Sequence, residues 1–441
     1  MKEKISISQL IDGLRRVGVY DVLTQRKLDI LGTSFQGAAE IAQKERILTQ
    51  QLFEEFMETV EQRKEIEFSE LTGSSHRGAR VVCTVKEFLG FGNAGPVFSV
   101  LVDNQPFALK VYSARELHDT MTLHGKFGLA GILYQRESGE KPAELTDIGR
   151  TVLARKPKGL YARSRRIVKI HKVGEHKQYL FLLMDLLAVD PLRGRIDPSK
   201  LSGSPSDLVS WSVDCVVGLC HLHAEEQRLH LNIRPEAFIR NVIQSGERQP
   251  KYTFFHFPKK FPRFAEAASS KSEFIMVDHL DTSIDIHDSS PKGLASVGSW
   301  MFLAPEHILN LLQTLRNDFQ QYVKLGTHLK QEQTIKFRRT QLDDIWSMGL
   351  TLYQFFSGGK YPFGEPRNLG EMVNAVLLTK FDFSFIDERL QDLLSAMLEK
   401  DAQKRYEKVL AGCPEKMKEK ALLAEAVLYK LEQIALTLVS D

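Results

Sequence analysis

Cysteine is scarce in this sequence: Cys83, Cys215, Cys220 and Cys413 are the four present in 441 residues. Their spacing fits neither a zinc site nor a redox pair, and they are too few for a disulfide framework, so a reducing, cytoplasmic setting is expected. A surplus of charge of one sign is also missing. Lys and Arg total 59 against 56 Asp and Glu, a formal +3, which leaves no electrostatic footprint for a nucleic-acid partner. No segment approaches the roughly 20 apolar residues that span a bilayer, so no transmembrane segment is expected. In the first residues, MKEKISISQLIDGLRRVGVYDVL, charges interrupt every apolar run, unlike the apolar stretch of a signal peptide. What is present is an ordinary globular composition, 43% hydrophobic and 26% charged, in a chain longer than one core usually serves. One large two-part unit and a smaller one are expected.

The pattern of apolar residues divides the chain. Residues 1–72 read as a helical module: Ile5, Leu10, Ile11 and Leu14 recur at helical spacing, and Leu52, Phe53, Phe56 and Val60 form a second stripe. Thr49 is placed to cap that second helix, with Leu48 packing on Phe53. The polar stretch Gly73 to Gly78 reads as a linker. From Val81 to Val111, short β-favouring runs separated by Gly, Asn, Asp and Pro read as antiparallel strands, with further strands at Arg166 to Val173 and Tyr179 to Leu183. Later segments, Asp207 to His223 and Asp343 to Phe356, have helical length, and residues 411–441 read as a C-terminal helix. A strand-rich half followed by a helix-rich half is an α+β arrangement of two lobes.

Two local signals point to a nucleotide. Leu89 to Val97 contains Gly90, Gly92 and Gly95 in a G-x-G-x-x-G-x-V array between two strands. Glycine lets backbone N–H groups approach phosphate oxygens, although a glycine-rich turn is also simply a hairpin. Phe107-Ala108-Leu109-Lys110-Val111 then centres a lysine in an apolar strand, and an ammonium there needs an anionic partner. Together they suit a nucleoside triphosphate, with the loop over the phosphates and Lys110 on the α and β groups.

With these residues the chain resembles the eukaryotic-type Ser/Thr protein kinases, and later motifs follow in that family's order. Leu182 to Leu187 is similar to the fifth strand and hinge, which implies Met184 as gatekeeper and the Asp185 to Leu187 backbone facing adenine. His230-Leu231-Asn232-Ile233-Arg234-Pro235-Glu236-Ala237 resembles the catalytic loop, and Asp278-His279-Leu280 stands in place of D-F-G. Gly298-Ser299-Trp300, Ala304-Pro305-Glu306, Asp344 to Gly349 and Lys400 to Arg405 follow. The resemblance implies a bilobal kinase-like fold over residues 80–410, with a β-sheet small lobe at 80–184 and a helical large lobe at 188–410. It also implies structural roles for Glu306, Asp344 and Arg405, with Arg405 ion-paired to Glu306. The glutamate that would pair with Lys110 is assigned first to Glu144, since Ile148 and Val152 follow at helical spacing, with Glu137 and Glu140 as rivals.

The resemblance is incomplete where chemistry is done. Asn232 replaces the catalytic aspartate and Ala237 the metal-binding asparagine, while Arg234 replaces a lysine and Leu231 an arginine. An amide is no base near neutral pH, and a methyl group binds no metal. Asp278 remains as a ligand for a single magnesium ion. The expectation is a pseudokinase that binds ATP and acts as a signalling regulator or scaffold for an unidentified protein partner. Two alternatives stay open: an active, atypical Ser/Thr kinase using a carboxylate such as Asp281, and a scaffold without nucleotide. Two insertions, one between Ala237 and Asp278 and one about Leu309 to Arg338, enlarge the second lobe. The first carries Phe254, Phe255, Phe257, Phe261 and Phe264 among Lys259, Lys260 and Arg263, which reads either as internal packing or as a docking surface.

Overall fold

The structure is a computed structural model and describes residues 53–71, 77–92, 95–113, 134–135, 144–145, 167–177, 179–187, 199, 205–242, 273–277, 284–285, 300–308, 340–367, 369–384 and 386–440. Helix α1 (Glu54–Arg63) ends at Lys64, whose left-handed backbone turns the chain into strand β1 (Glu65–Leu71). There follow β2 (Arg77–Gly92), β3 (Gly95–Val102) and β4 (Gln105–Ser113), then a detached two-residue ladder of β5 (Tyr134–Gln135) and β6 (Glu144–Leu145), then β7 (Ile170–His176) and β8 (Tyr179–Asp185). Asp103 and Asn104 join β3 to β4, both at positive φ. That is the geometry of a two-residue hairpin matched to strand twist, and these two residue types tolerate it.

The sheet is a closed antiparallel barrel in the order β1-β2-β3-β4-β8-β7. Alternation fills its interior: Ile66, Phe68, Val81, Cys83, Phe98, Val100, Leu109, Val111, Phe181 and Leu183 are buried together. Phe53 and Val60 bring α1 into the same core, where Phe56 lies 4.7 Å from the ring of Tyr179. The opposite face is apolar too. Tyr112, Ile170, Val173, Leu180 and Leu182 share one continuous core with the helices that follow.

Those helices are α2 (Pro205–Ala224), α3 (Gln341–Ser357), α4 (Leu369–Leu378), α5 (Glu388–Met397), α6 (Ala402–Leu410), α7 (Glu415–Glu419) and α8 (Leu423–Ser440). Two small ladders lie among them: β9 (Arg228–Leu229) with β12 (Ile284–Asp285), and β10 (Phe238–Val242) with β11 (Glu273–Val277). Thr340 and Asp343 form a capping box at the start of α3, and Gly358 ends it in the left-handed conformation, so both ends are sequence-encoded. Among the described residues no helix is long and apolar enough to cross a membrane.

The bilobal kinase-like fold, with an antiparallel β-sheet small lobe preceded by a small helical module, is overturned by the closed barrel. Glu65–Leu71, within the stretch read as helical, is a strand that pairs with β2 along one edge and with β7 along the other, through Ser69 opposite Glu175 and Glu70 opposite Gly174. An open sheet would leave two rows of unpaired N–H and C=O groups, and closure satisfies both. A Lys172–Glu70 contact at 2.6 Å spans the same seam. Helix α1 begins at Glu54, with Phe53 at the N-cap position and no side-chain cap. The expected cap at Thr49 lies outside the described residues.

Candidate functional site

Strand register decides which of the candidate nucleotide residues meet. Val97 lies opposite Lys110, which lies opposite Leu182, and Ser99 lies opposite Ala108, which lies opposite Met184. Directly opposed residues of antiparallel strands share a face, so Val97, Ala108, Lys110 and Met184 occupy one face, the one turned away from the barrel interior. The Nζ of Lys110 lies 5.1 Å from the ring centroid of Tyr112. Met184 packs against Val168, Leu187 and Ile239, an apolar cluster joining the end of β8 to β10. Ile239 was missed by sequence reasoning. Its signal was the strand alternation after Ala237, which directs Ile239 and Phe238 to opposite sides.

The hinge-like residue Asp185 is held on every side. Its N–H donates to Lys169 O at 3.0 Å, and its carboxylate accepts from Lys169 N–H at 3.1 Å and contacts His171 Nε2 at 2.6 Å. Of the glycines, Gly92 opposes Gly95 at the end of the hairpin, while Asn93 and Ala94 lie outside the described residues. Gly90 and Gly95 have φ of 148° and 142°, values that L side chains rarely adopt. A Cβ on Gly95 would stand 2.2 Å from Val111 O and 2.8 Å from Phe53 Cζ. Packing against β4 and α1 therefore requires this glycine whatever ligand the hairpin meets.

The loop at Asn232 is fixed from outside. Asp344, fully buried in the first turn of α3, accepts from His230 N–H at 2.7 Å and from Leu231 N–H at 2.8 Å, and lies 2.8 Å from His223 Nε2. These bonds hold Leu231 at φ 61°, a left-handed conformation that costs a side-chain-bearing residue about 1–2 kcal/mol. Asn232 N–H then donates to His230 Nδ1 at 3.2 Å. Arg234 lies 3.8 Å from Glu236, and Ala237 is buried at the end of a short 3-10 turn.

The structure brings Glu306 and Arg405 together: the Arg405 guanidinium donates to Glu306 Oε1 and to Glu399 O, and lies 5.3 Å from the Trp346 ring centroid. Burial pushes the Glu306 carboxyl up from its ordinary value, and Arg405 pulls against that shift. Other expectations are not met or fall elsewhere. Glu144 sits on β6, a two-residue strand paired with β5, and Ile148 and Val152 lie outside the described residues. Asp278, Asp281, Glu137, Glu140, the Phe254 to Phe264 segment and the Leu309 to Arg338 insertion lie outside the described residues. No protein-family model matches this sequence, and no curated protein is significantly similar to it.

Proposed function

We propose that the protein is a degenerate relative of the protein kinases, a pseudokinase that binds ATP and acts as a signalling regulator or scaffold. The ordered motifs, not the barrel, carry the family part of this reading. The observation that supports nucleotide binding is the face shared by Val97, Ala108, Lys110 and Met184, with Leu187 and Ile239 against Met184. Same-face residues along a strand are about 6.6 Å apart, so an apolar wall stands one side-chain row from a lysine. That pairing suits ATP, whose purine takes apolar contact and whose phosphates take the cation. Gly90, Gly92 and Gly95 would lie over the phosphates, and Asp185 would offer its carbonyl to adenine, since its N–H is engaged by Lys169. Asp278 would hold a single magnesium ion. ATP with magnesium supplies a transferable phosphoryl group. The chain supplies little to transfer it: the Asn232 amide accepts no proton near neutral pH, and Ala237 offers no metal ligand.

A thermal-shift and calorimetric titration with ATP, with and without magnesium, tests the reading. ATP at about 100 times its dissociation constant should stabilise the unmutated chain by roughly 2.7 kcal/mol. Lys110→Met should weaken ATP at least about tenfold, the loss of one charge-assisted contact. No stabilisation by ATP would favour the nucleotide-free scaffold. Phosphate transfer at about 1–100 per second would instead favour an active kinase.

A further inference from the structure

A second cluster lies beside the Arg405–Glu306 pair, and neither the Lys110 face nor the loop at Asn232 uses it. Glu306, His307 and Asp343 each offer one ligand atom, and these atoms lie within 4.8 Å of one another. Glu306 and His307 come from the helical turn after the 3-10 turn Trp300–Phe302, and Asp343 from the first turn of α3. His307 is 1% exposed and Asp343 3%. Each carboxylate gives one oxygen to the protein: Asp343 Oδ2 accepts from Thr340 N–H at 2.7 Å, and Glu306 Oε1 accepts from Arg405. The second oxygen of Asp343, Oδ1, meets His307 Nε2. Glu306 Oε2 and both ring nitrogens of His307 have no hydrogen-bond partner among the described residues, the Nε2 contact with Asp343 Oδ1 not having hydrogen-bond geometry. Buried polar atoms left in this state are unfavourable.

We propose that Glu306, His307 and Asp343 form a binding site for a divalent first-row transition metal ion, zinc above all. The donor set is one imidazole nitrogen and two carboxylate oxygens, which suits zinc or manganese better than calcium, a cation that takes six to eight oxygens. Zinc holds such ligands at about 2.0–2.2 Å, which sets tetrahedral donors about 3.4 Å apart, within the spacing of this cluster. The arrangement also has the outer partners of a metal site, because ligating carboxylates are themselves hydrogen-bonded: Arg405 on Glu306 and Thr340 on Asp343. The guanidinium of Arg405 meets this pair of carboxylates at Glu306 Oε1. A surface pocket of about 550 Å³, lined by Leu342, Asp401 and Tyr406, reaches Glu306. That pocket is the side from which an ion or water would approach Glu306. Bound there, the metal ties the 300–308 segment to the start of α3, where the next residue, Asp344, holds the loop at Asn232.

The test uses the full chain, stripped with a chelator and titrated with zinc chloride alone, without nucleotide. Elemental analysis should find about one zinc per chain, the melting temperature should rise, and cobalt(II) should give a visible absorption band from nitrogen–oxygen coordination. His307→Ala and His307→Gln should weaken zinc at least about 100-fold, whereas Lys110→Met should bind zinc as the unmutated chain does, which separates this site from the nucleotide proposal. Should either His307 variant fail to fold, the cobalt spectrum of the unmutated chain still decides. An unmutated chain with no stoichiometric zinc, no melting shift and no cobalt band overturns the proposal and leaves His307 as a buried partner of Asp343, without a metal. Zinc binding undiminished in a folded His307→Ala chain overturns it as well.

Discussion

Two buried acids in this molecule have opposite surroundings. Asp344 accepts from His230 and Leu231 and lies beside His223, so its buried charge is matched by donors. Glu432 on α8 is 4% exposed, and its Oε2 has no hydrogen-bond partner among the described residues. Burial pushes its carboxyl up from 4.5 to about 7. The folded chain therefore holds this proton more tightly than the unfolded chain. The stability linked to Glu432 is fully present below pH 4.5 and is lost as pH rises through about 7, by roughly 3 kcal/mol at most. Urea denaturation between about pH 5 and pH 8 should show that decline in the unmutated chain, and Glu432→Gln should remove most of it; an unchanged slope would place the titration elsewhere. The two acids also differed in legibility. Asp344 stands in a motif whose order along the chain pointed to it. Glu432 looks like a surface residue in sequence, because its burial comes from α8 packing nearly all its faces into the core, with Leu428, Leu431 and Ala435 buried around it.

At the scale of elements, the barrel turns on the seam between β1 and β7. Phe68 stacks on Phe181 with centroids 5.1 Å apart and rings within 11° of parallel, and Gly174 leaves room for it: a Cβ there would stand 2.0 Å from Phe68 Cδ2 and 2.9 Å from Ser69 O. Phe68→Ala should destabilise the chain by about 3–5 kcal/mol, and Gly174→Ala by about 1–3 kcal/mol or more through overpacking. The two effects should not add. With the ring gone, the two nearest atoms the added methyl would meet are gone and Ser69 O at 2.9 Å remains, so a double-mutant cycle in urea should show a coupling of about 0.5–3 kcal/mol. Full additivity would mean that the seam is not formed. Strands β2 to β4, β7 and β8 were legible because each pairs with a close neighbour in sequence or alternates cleanly between turn residues. β1 was not, for two physical reasons. Its outward Glu65, Glu67 and Ser69 dilute the apolar signal of Ile66 and Phe68, and one partner, Gly174 opposite Glu70, lies about a hundred residues away, beyond any local pattern. Glu144 was placed by helical spacing with Ile148 and Val152, whereas its own backbone pairs with Gln135.

At the scale of the whole molecule, part of the barrel's outer face is covered by the helices. Tyr112, Ile170, Val173, Leu180 and Leu182 lie in the same core as α2, α3 and α8, so removing the helices would expose them to water together. Apolar burial contributes about 25 cal/mol per Å², which makes separate unfolding of the two parts unfavourable. The change from strand-rich to helix-rich sequence was legible, but it marked a change of element type and not a border between cores. The four cysteines can test this, since all are buried free thiols that a reagent reaches only on opening. Cys83 lies inside the barrel, where burial pushes its thiol up to about 12. Cys215, Cys220 and Cys413 lie in the core shared with the helices, and burial raises Cys220 well above its ordinary value. The three tryptophans, Trp211, Trp300 and Trp346, all come after the barrel strands, in the part of the chain that begins with α2, so their fluorescence reports on that part. If one continuous core governs unfolding, pulsed thiol labelling read by mass spectrometry should modify Cys83 and Cys215 at the same urea concentration, and the fluorescence transition should coincide with both. Labelling of Cys83 at lower urea, while Cys215 stays protected and the fluorescence native, would show that the barrel opens by itself and that the packing of its outer face against the helices is too weak to join the two.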